Sequence, residues 1–169
     1  LEHQDLDRFV GYLKDTNIAV KKSVELFYKV YNNCNNFDED TRFRTLLFSG
    51  MVLHVLGTTF TTDADVIYWA KNKSQKEIEQ IEDTYINIGQ IDYHVYRNGH
   101  KDTNYFGNVI ANPAKHFYFV GIKFINIDSE IMRLHMHVTP PSIVDCIMIK
   151  RINDLNANPC FPLLKNHDD

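Results

Sequence analysis

The sequence predicts an α/β fold of the α+β type, a small mixed β-sheet with flanking helices. Three observations carry that expectation: helical apolar spacing near the start, short β-branched and aromatic runs through the middle, and no break that divides the chain. With 44% hydrophobic residues, 169 positions suffice to bury one sizeable core. There is no internal repeat, low-complexity tract or glycine-serine linker. The expectation is therefore one domain over 1–169, with N-terminal helices in 1–36, a core in 42–127 and C-terminal helices in 128–156.

Apolar residues recur at helical spacing from Leu6 to Leu13 and, after the capping run Asp15-Thr16-Asn17, from Ile18 to Tyr31, which predicts two helices. The asparagine-rich run from Asn32 to Asp38 favours turns and ends the second. Thr45 to Phe48 reads as a strand closed by Ser49-Gly50, and Met51 to Leu56 as a short helix closed by Gly57. Asp65 to Trp69 is a buried strand, and Ser74 to Thr84, with Ile78 and Ile81 among charges, is a crossover helix. Ile86 to Tyr96 reads as a long strand with a turn at Asn98-Gly99, and a further strand pair is expected after it. Phe117 to Ile127, with Gly121 inside it, is one bulged strand or two short ones. Asp128-Ser129 starts a short helix to His135, and Thr139-Pro140-Pro141 caps another over about 142–153.

A formal charge of -4 and a pI near 6.0 supply no global attraction to a phosphate backbone. Cys34, Cys146 and Cys160 are odd in number and lack a Cys-x-x-Cys pair, which fits free thiols in a reducing compartment. No apolar run reaches the roughly 18–20 residues of a membrane span, and Leu1 to Asp5 lacks the basic start of a signal peptide. The expectation is a cytoplasmic protein without a membrane partner.

The chemistry-bearing stretch is Asp63-Ala64-Asp65, preceded by the turns at Ser49-Gly50 and Gly57-Thr58. Side chains alternate along a strand, so Asp63 and Asp65 share a face, close enough to share a divalent cation. Magnesium accepts few hard oxygen ligands and completes its shell from water and phosphate, so the pair implies Mg²⁺ (or Mn²⁺) and a nucleoside triphosphate such as ATP. A turn ahead of a short helix offers backbone N–H groups to phosphates. Asp92, in Ile91-Asp92-Tyr93, would return beside the pair on a neighbouring strand after the crossover. Three converging acids allow two metals. Lys123 is a candidate for neutralising the triphosphate.

The order strand, Gly/Ser turn, short helix, glycine, Asp-h-Asp strand, helix and h-Asp-h strand (h apolar), over Leu46 to Val95, resembles the DNA polymerase β-like nucleotidyltransferase superfamily. The resemblance implies a nucleotidyltransferase-like fold and a metal-dependent enzyme that transfers a nucleoside monophosphate from a triphosphate to a hydroxyl or phosphate acceptor. It implies Asp63, Asp65 and Asp92 as catalytic metal ligands, and Ser49 and Gly50 as the phosphate turn. The order Ser49-Gly50 departs from the usual Gly then Ser. Downstream only Asp145 matches, because Pro141-Ser142 stand where a basic-acidic pair is usual.

Two alternatives stay beside this reading. One is a phosphorylated-alcohol or polyol transferase of the choline-phosphate transferase and fukutin type, against which the missing Pro-Trp-Asp-Asp-Asp run counts. The other is a non-catalytic binding module on the same fold. A zinc site from His135, His137, His94, His100 and His116 is not expected without a cysteine at ligand spacing, and Trp69 and Phe117-Tyr118-Phe119 read as core rather than as base platforms.

Overall fold

The computed structural model describes residues 18–55, 63–86 and 91–137. The predicted helices at 6–13 and 142–153, Asp145, and the site residues Gly57 and Thr58 lie outside them. Helix α1 (Ile18–Asn35) runs one turn further than its apolar spacing indicates, and helix α2 (Glu39–Phe43) follows, begun by the Asp38 carboxylate accepting from Thr41 N at 2.7 Å. Strand β1 (Thr45–Phe48) and helix α3 (Gly50–Val55) come next. Strand β2 (Ala64–Trp69) leads to helix α4 (Gln75–Ile81), which starts in a capping box: Ser74 Oγ accepts from Glu77 N, and Glu77 Oε1 from Ser74 N.

Past α4 the chain departs from the expected long strand. Glu82–Ile86 is a turn of π-helix, so Ile86 does not begin the strand, and strand β3 is described over Ile91–Tyr96. The strand pair expected after Asn98-Gly99 is instead helix α5 (Thr103–Ala111). Its sequence has weak helix formers, Asn104, Gly107 and Asn108, yet Phe106, Val109 and Ile110 bury against the sheet, so tertiary packing overrides propensity. Gly107 is required there: a Cβ would stand 2.6 Å from Trp69 Cζ2.

Strands β4 (His116–Phe119) and β5 (Ile122–Ile125) are the two-strand alternative for Phe117 to Ile127. Val120 and Gly121 form the two-residue turn between them, both at positive φ (47° and 77°). A β-branched residue is costly in that conformation, and Val120 holds it with its side chain buried in the core. Helix α6 (Ile127–His137) begins earlier than Asp128-Ser129, since Asn126 Oδ1 accepts from Ser129 N at 3.0 Å.

Among the described residues five strands form one mixed sheet in the order β3-β2-β1-β5-β4. β1 is antiparallel to β2 and parallel to β5; β2 and β3 are parallel, and β4 and β5 antiparallel. The β2–α4–β3 crossover is the one the sequence predicts. Helix α1 covers one face: Phe27 meets Phe119 at 5.8 Å between ring centroids, and Asn33 binds Tyr85 O and the Tyr93 hydroxyl. Helices α5 and α6 serve the other face. Leu46, Leu47, Val66, Ile67, Phe106, Ile110 and Phe124 make the centre of the core. Among the described residues no helix is long and apolar enough to cross a membrane.

Candidate metal and nucleotide site

Register decides which side chains meet. Phe48 on β1 pairs with Asp65 on β2, and Asp65 pairs with Asp92 on β3, so the three form one cross-strand row and share a face of the sheet. Asp63, two residues before Asp65, joins them, and one carboxylate oxygen from each of Asp63, Asp65 and Asp92 lies within 4.8 Å of the others. Asp63 and Asp92 are exposed and Asp65 is half-buried, so a ligand can enter from solvent.

The donor set fits a hard divalent cation, since it offers carboxylate oxygens alone and leaves room for water and phosphate oxygens. Oxygens bound to one Mg²⁺ stand at most about 4.2 Å apart, twice a bond of roughly 2.1 Å. Neighbouring oxygens of one octahedral shell stand closer, about 3 Å, so the three side chains, whose oxygens lie within 4.8 Å of one another, would draw inward to share one ion.

His94, two residues beyond Asp92 on the same face of β3, brings its Nε2 to 3.3 Å from Asp65 Oδ1. That hydrogen bond is the main cause raising the His94 pKa above the ordinary histidine value; burial and the Arg133 charge act against it, while the Asp65 and Asp92 charges add to it. The His94 ring meets Phe48 edge-on at 5.6 Å, and the Arg133 guanidinium lies 4.8 Å from the Phe48 ring centroid. Neither His94 nor Arg133 was expected at this site from the sequence. Strand alternation places His94 with Asp92 and was a usable signal, whereas Arg133 arrives through the packing of α6, which no local pattern reveals.

The other predicted residues divide. Ser49 and Gly50 follow Phe48 directly and so stand at the acid end of the sheet. Ser49, not the glycine, takes the left-handed conformation (φ 64°), and its carbonyl accepts from Val52 N as α3 begins. The reversed order therefore places the side-chain-bearing residue where glycine is favoured.

Lys123 corrects the expectation of a phosphate ligand. Phe124 pairs with Leu47, which sets Lys123 toward the opposite end of β1 from Phe48. Its ammonium is buried and donates to Phe43 O at 2.7 Å and to Ile110 O at 3.0 Å, with the Phe43 ring 4.4 Å away. Ile110 closes the last turn of α5, whose carbonyls have no partner within the helix. Lys123 thus ties α5 to the segment before β1, and burial pushes its pKa down to about 8. Phe117 and Phe119 are buried and Trp69 packs on α5, as core residues do, whereas Tyr118 between them points to solvent, as strand alternation requires. His100 stacks on Tyr96 and His116 Nδ1 donates to Val109 O, so neither turns toward a common ligand with His94.

Compared with family models, curated proteins and solved structures, the chain has no match.

Proposed function

We propose that the protein is a metal-dependent nucleotidyltransferase acting from Asp63, Asp65 and Asp92. The observation that carries this reading is the convergence of the three carboxylates to within 4.8 Å from two parallel strands joined by a helix crossover. The Ser49-Gly50 turn at the same end of the sheet supports a triphosphate partner.

In this reading Asp63 and Asp65 hold the cation and the triphosphate bound to it. Bound there, Mg²⁺ would neutralise phosphate charge and lower the pKa of the attacking hydroxyl. Asp92 faces the acceptor and receives its proton as the acceptor oxygen attacks the α-phosphorus. The new O–Pα bond forms in line with the departing Pα–O bond, and pyrophosphate leaves with that electron pair. Positioning and charge neutralisation provide most of the rate gain. His94, bonded to Asp65, fixes the rotamer of that carboxylate.

The test is calorimetric titration with each of the four nucleoside triphosphates, with and without Mg²⁺. The expected result is binding that requires the cation and is lost in Asp65→Asn. Nucleotide binding that ignores both Mg²⁺ and Asp65 would remove the proposal.

A further inference from the structure

Besides His94, which touches Asp65, a second basic side chain, Arg133, lies on Phe48, the β1 member of the acid row. Glu130 on α6 is buried, 1% exposed at its side chain, and a carboxylate in that position requires a partner. Arg133, one turn later and 14% exposed, provides it: Nε donates to Glu130 Oε1 at 3.0 Å and Nη2 donates to the same oxygen. Two parallel N–H···O bonds to both oxygens would be the ordinary way to close such a pair. Here both donors fall on Oε1, and among the described residues Oε2 has no hydrogen-bond partner. Among the described residues the guanidinium makes no other hydrogen bond, so its Nη1 edge retains donor capacity.

The guanidinium is also aimed. It lies over the Phe48 ring, and Phe48 is the β1 member of the row Phe48, Asp65, Asp92. His94 touches both Phe48 and Asp65. Arg133 is therefore held at two points, by Glu130 and by Phe48, on the face that carries the acids. A fixed planar fork beside a metal-binding carboxylate row is suited to phosphate oxygens, which it can meet with two N–H groups at once.

We infer that Arg133, oriented by Glu130 and Phe48, is the polyphosphate-binding cation of this site, in the place the sequence suggests for Lys123. The inference rests on the proposed nucleotide site and adds the residue that receives the β and γ phosphates. Arg133 binds; Glu130 positions it.

The probes are Mn²⁺ alone, followed by electron paramagnetic resonance, and inorganic tripolyphosphate, followed by calorimetry. They are applied to the full chain, to Arg133→Lys and to the double variant Glu130→Gln, Arg133→Gln. The double variant leaves no buried charge behind, and Arg133→Lys keeps the charge while losing the fork, so a folding failure of one leaves the other informative. The expected result is tripolyphosphate binding weakened about tenfold or more in both variants, as loss of a bidentate charged contact implies, with Mn²⁺ affinity within about twofold of the parent. Unchanged tripolyphosphate affinity in either folded variant overturns the inference. So does a parent chain that binds Mn²⁺ but no tripolyphosphate, which leaves the acid site standing. A parent that binds tripolyphosphate through Arg133 but no Mn²⁺ supports the inference and removes the metal reading instead.

Discussion

The two ends of one sheet face handle charge in opposite ways. At the Phe43 end the Lys123 ammonium is buried, and two backbone carbonyls and an aromatic ring surround it. At the Phe48 end three carboxylates gather with two of them exposed to water. A buried charge whose neighbours already satisfy it is architecture. Clustered like charges at a solvent-facing edge gain most from something brought in. The difference separates Lys123 from the acids more firmly than residue type does, since both ends hold residues that nucleotide chemistry uses.

The strongest disturbance of this comparison is Gly107→Ala, which acts on the helix common to both ends. Its Cβ would meet the Trp69 indole at 2.6 Å, and overpacking of this kind costs about 3 kcal/mol. Urea unfolding should show that loss, and a melt unchanged from the parent would mean that α5 lies further from β2. Next in size is Lys123→Met, which keeps the length of the side chain but strips donors from Phe43 O and Ile110 O. The expected loss is about 2 kcal/mol, with Mg²⁺-dependent nucleotide binding retained in the folded fraction. Loss of nucleotide binding without loss of stability would reverse the assignment of the two ends.

The acid end should respond with the other sign. Asp63→Asn relieves repulsion among the three carboxylates and should stabilise the metal-free protein by about 0.5–1 kcal/mol, whereas Asp65→Asn also gives up the His94 contact and should leave stability about unchanged; each removes the rise in melting temperature that Mg²⁺ gives the parent. Thermal melts with and without Mg²⁺ read both effects. If both variants melt lower than the parent and Mg²⁺ leaves the parent unmoved, these aspartates are structural and the contrast collapses.

A further effect is in pH. Burial lowers the Lys123 pKa from 10.5 to about 8 in the folded protein. Between those values the unfolded chain holds more protons than the folded one, so this group makes stability rise with pH from about 8 toward 10. Near and above 10 the buried tyrosines act oppositely: burial raises Tyr68 and Tyr105 to about 12, so the folded state keeps protons that the unfolded chain releases. Above about 9 the buried Cys34 thiol, pushed up to about 12, opposes this slope, so unfolding free energies between pH 7 and 9 should show the rise in the parent and none in Lys123→Met. A flat parent profile would mean that the two carbonyls offset the desolvation of the ammonium.

The acid row was legible before the fold because every step in it is local or periodic. Asp63 and Asp65 share a face through strand alternation, and the crossover through Ser74 to Ile81 returns Asp92 in register with Asp65. Helix α5 was missed because Asn104, Gly107 and Asn108 argue against a helix, and its true warrant is the contact between Gly107 and Trp69, nearly forty positions apart. Lys123 was misassigned for a similar reason: a lysine inside a strand looks the same whether its ammonium ends in water or under a helix terminus. Arg133 was invisible, since its place depends on how α6 docks on Phe48.

The parallel pairing of β1 with β5 has a consequence for how the chain comes together. All three carboxylates lie in the stretch 63–92, so the acid row is made from contacts close in sequence. Leu47 must wait for Phe124 before β1 is enclosed on both sides. Loops of that length close slowly relative to a local crossover. During synthesis the negative half of the site can therefore form first, with Lys123 and Arg133 still to emerge from the ribosome. The two signs of charge on this face thus come from parts of the chain that close over very different sequence separations.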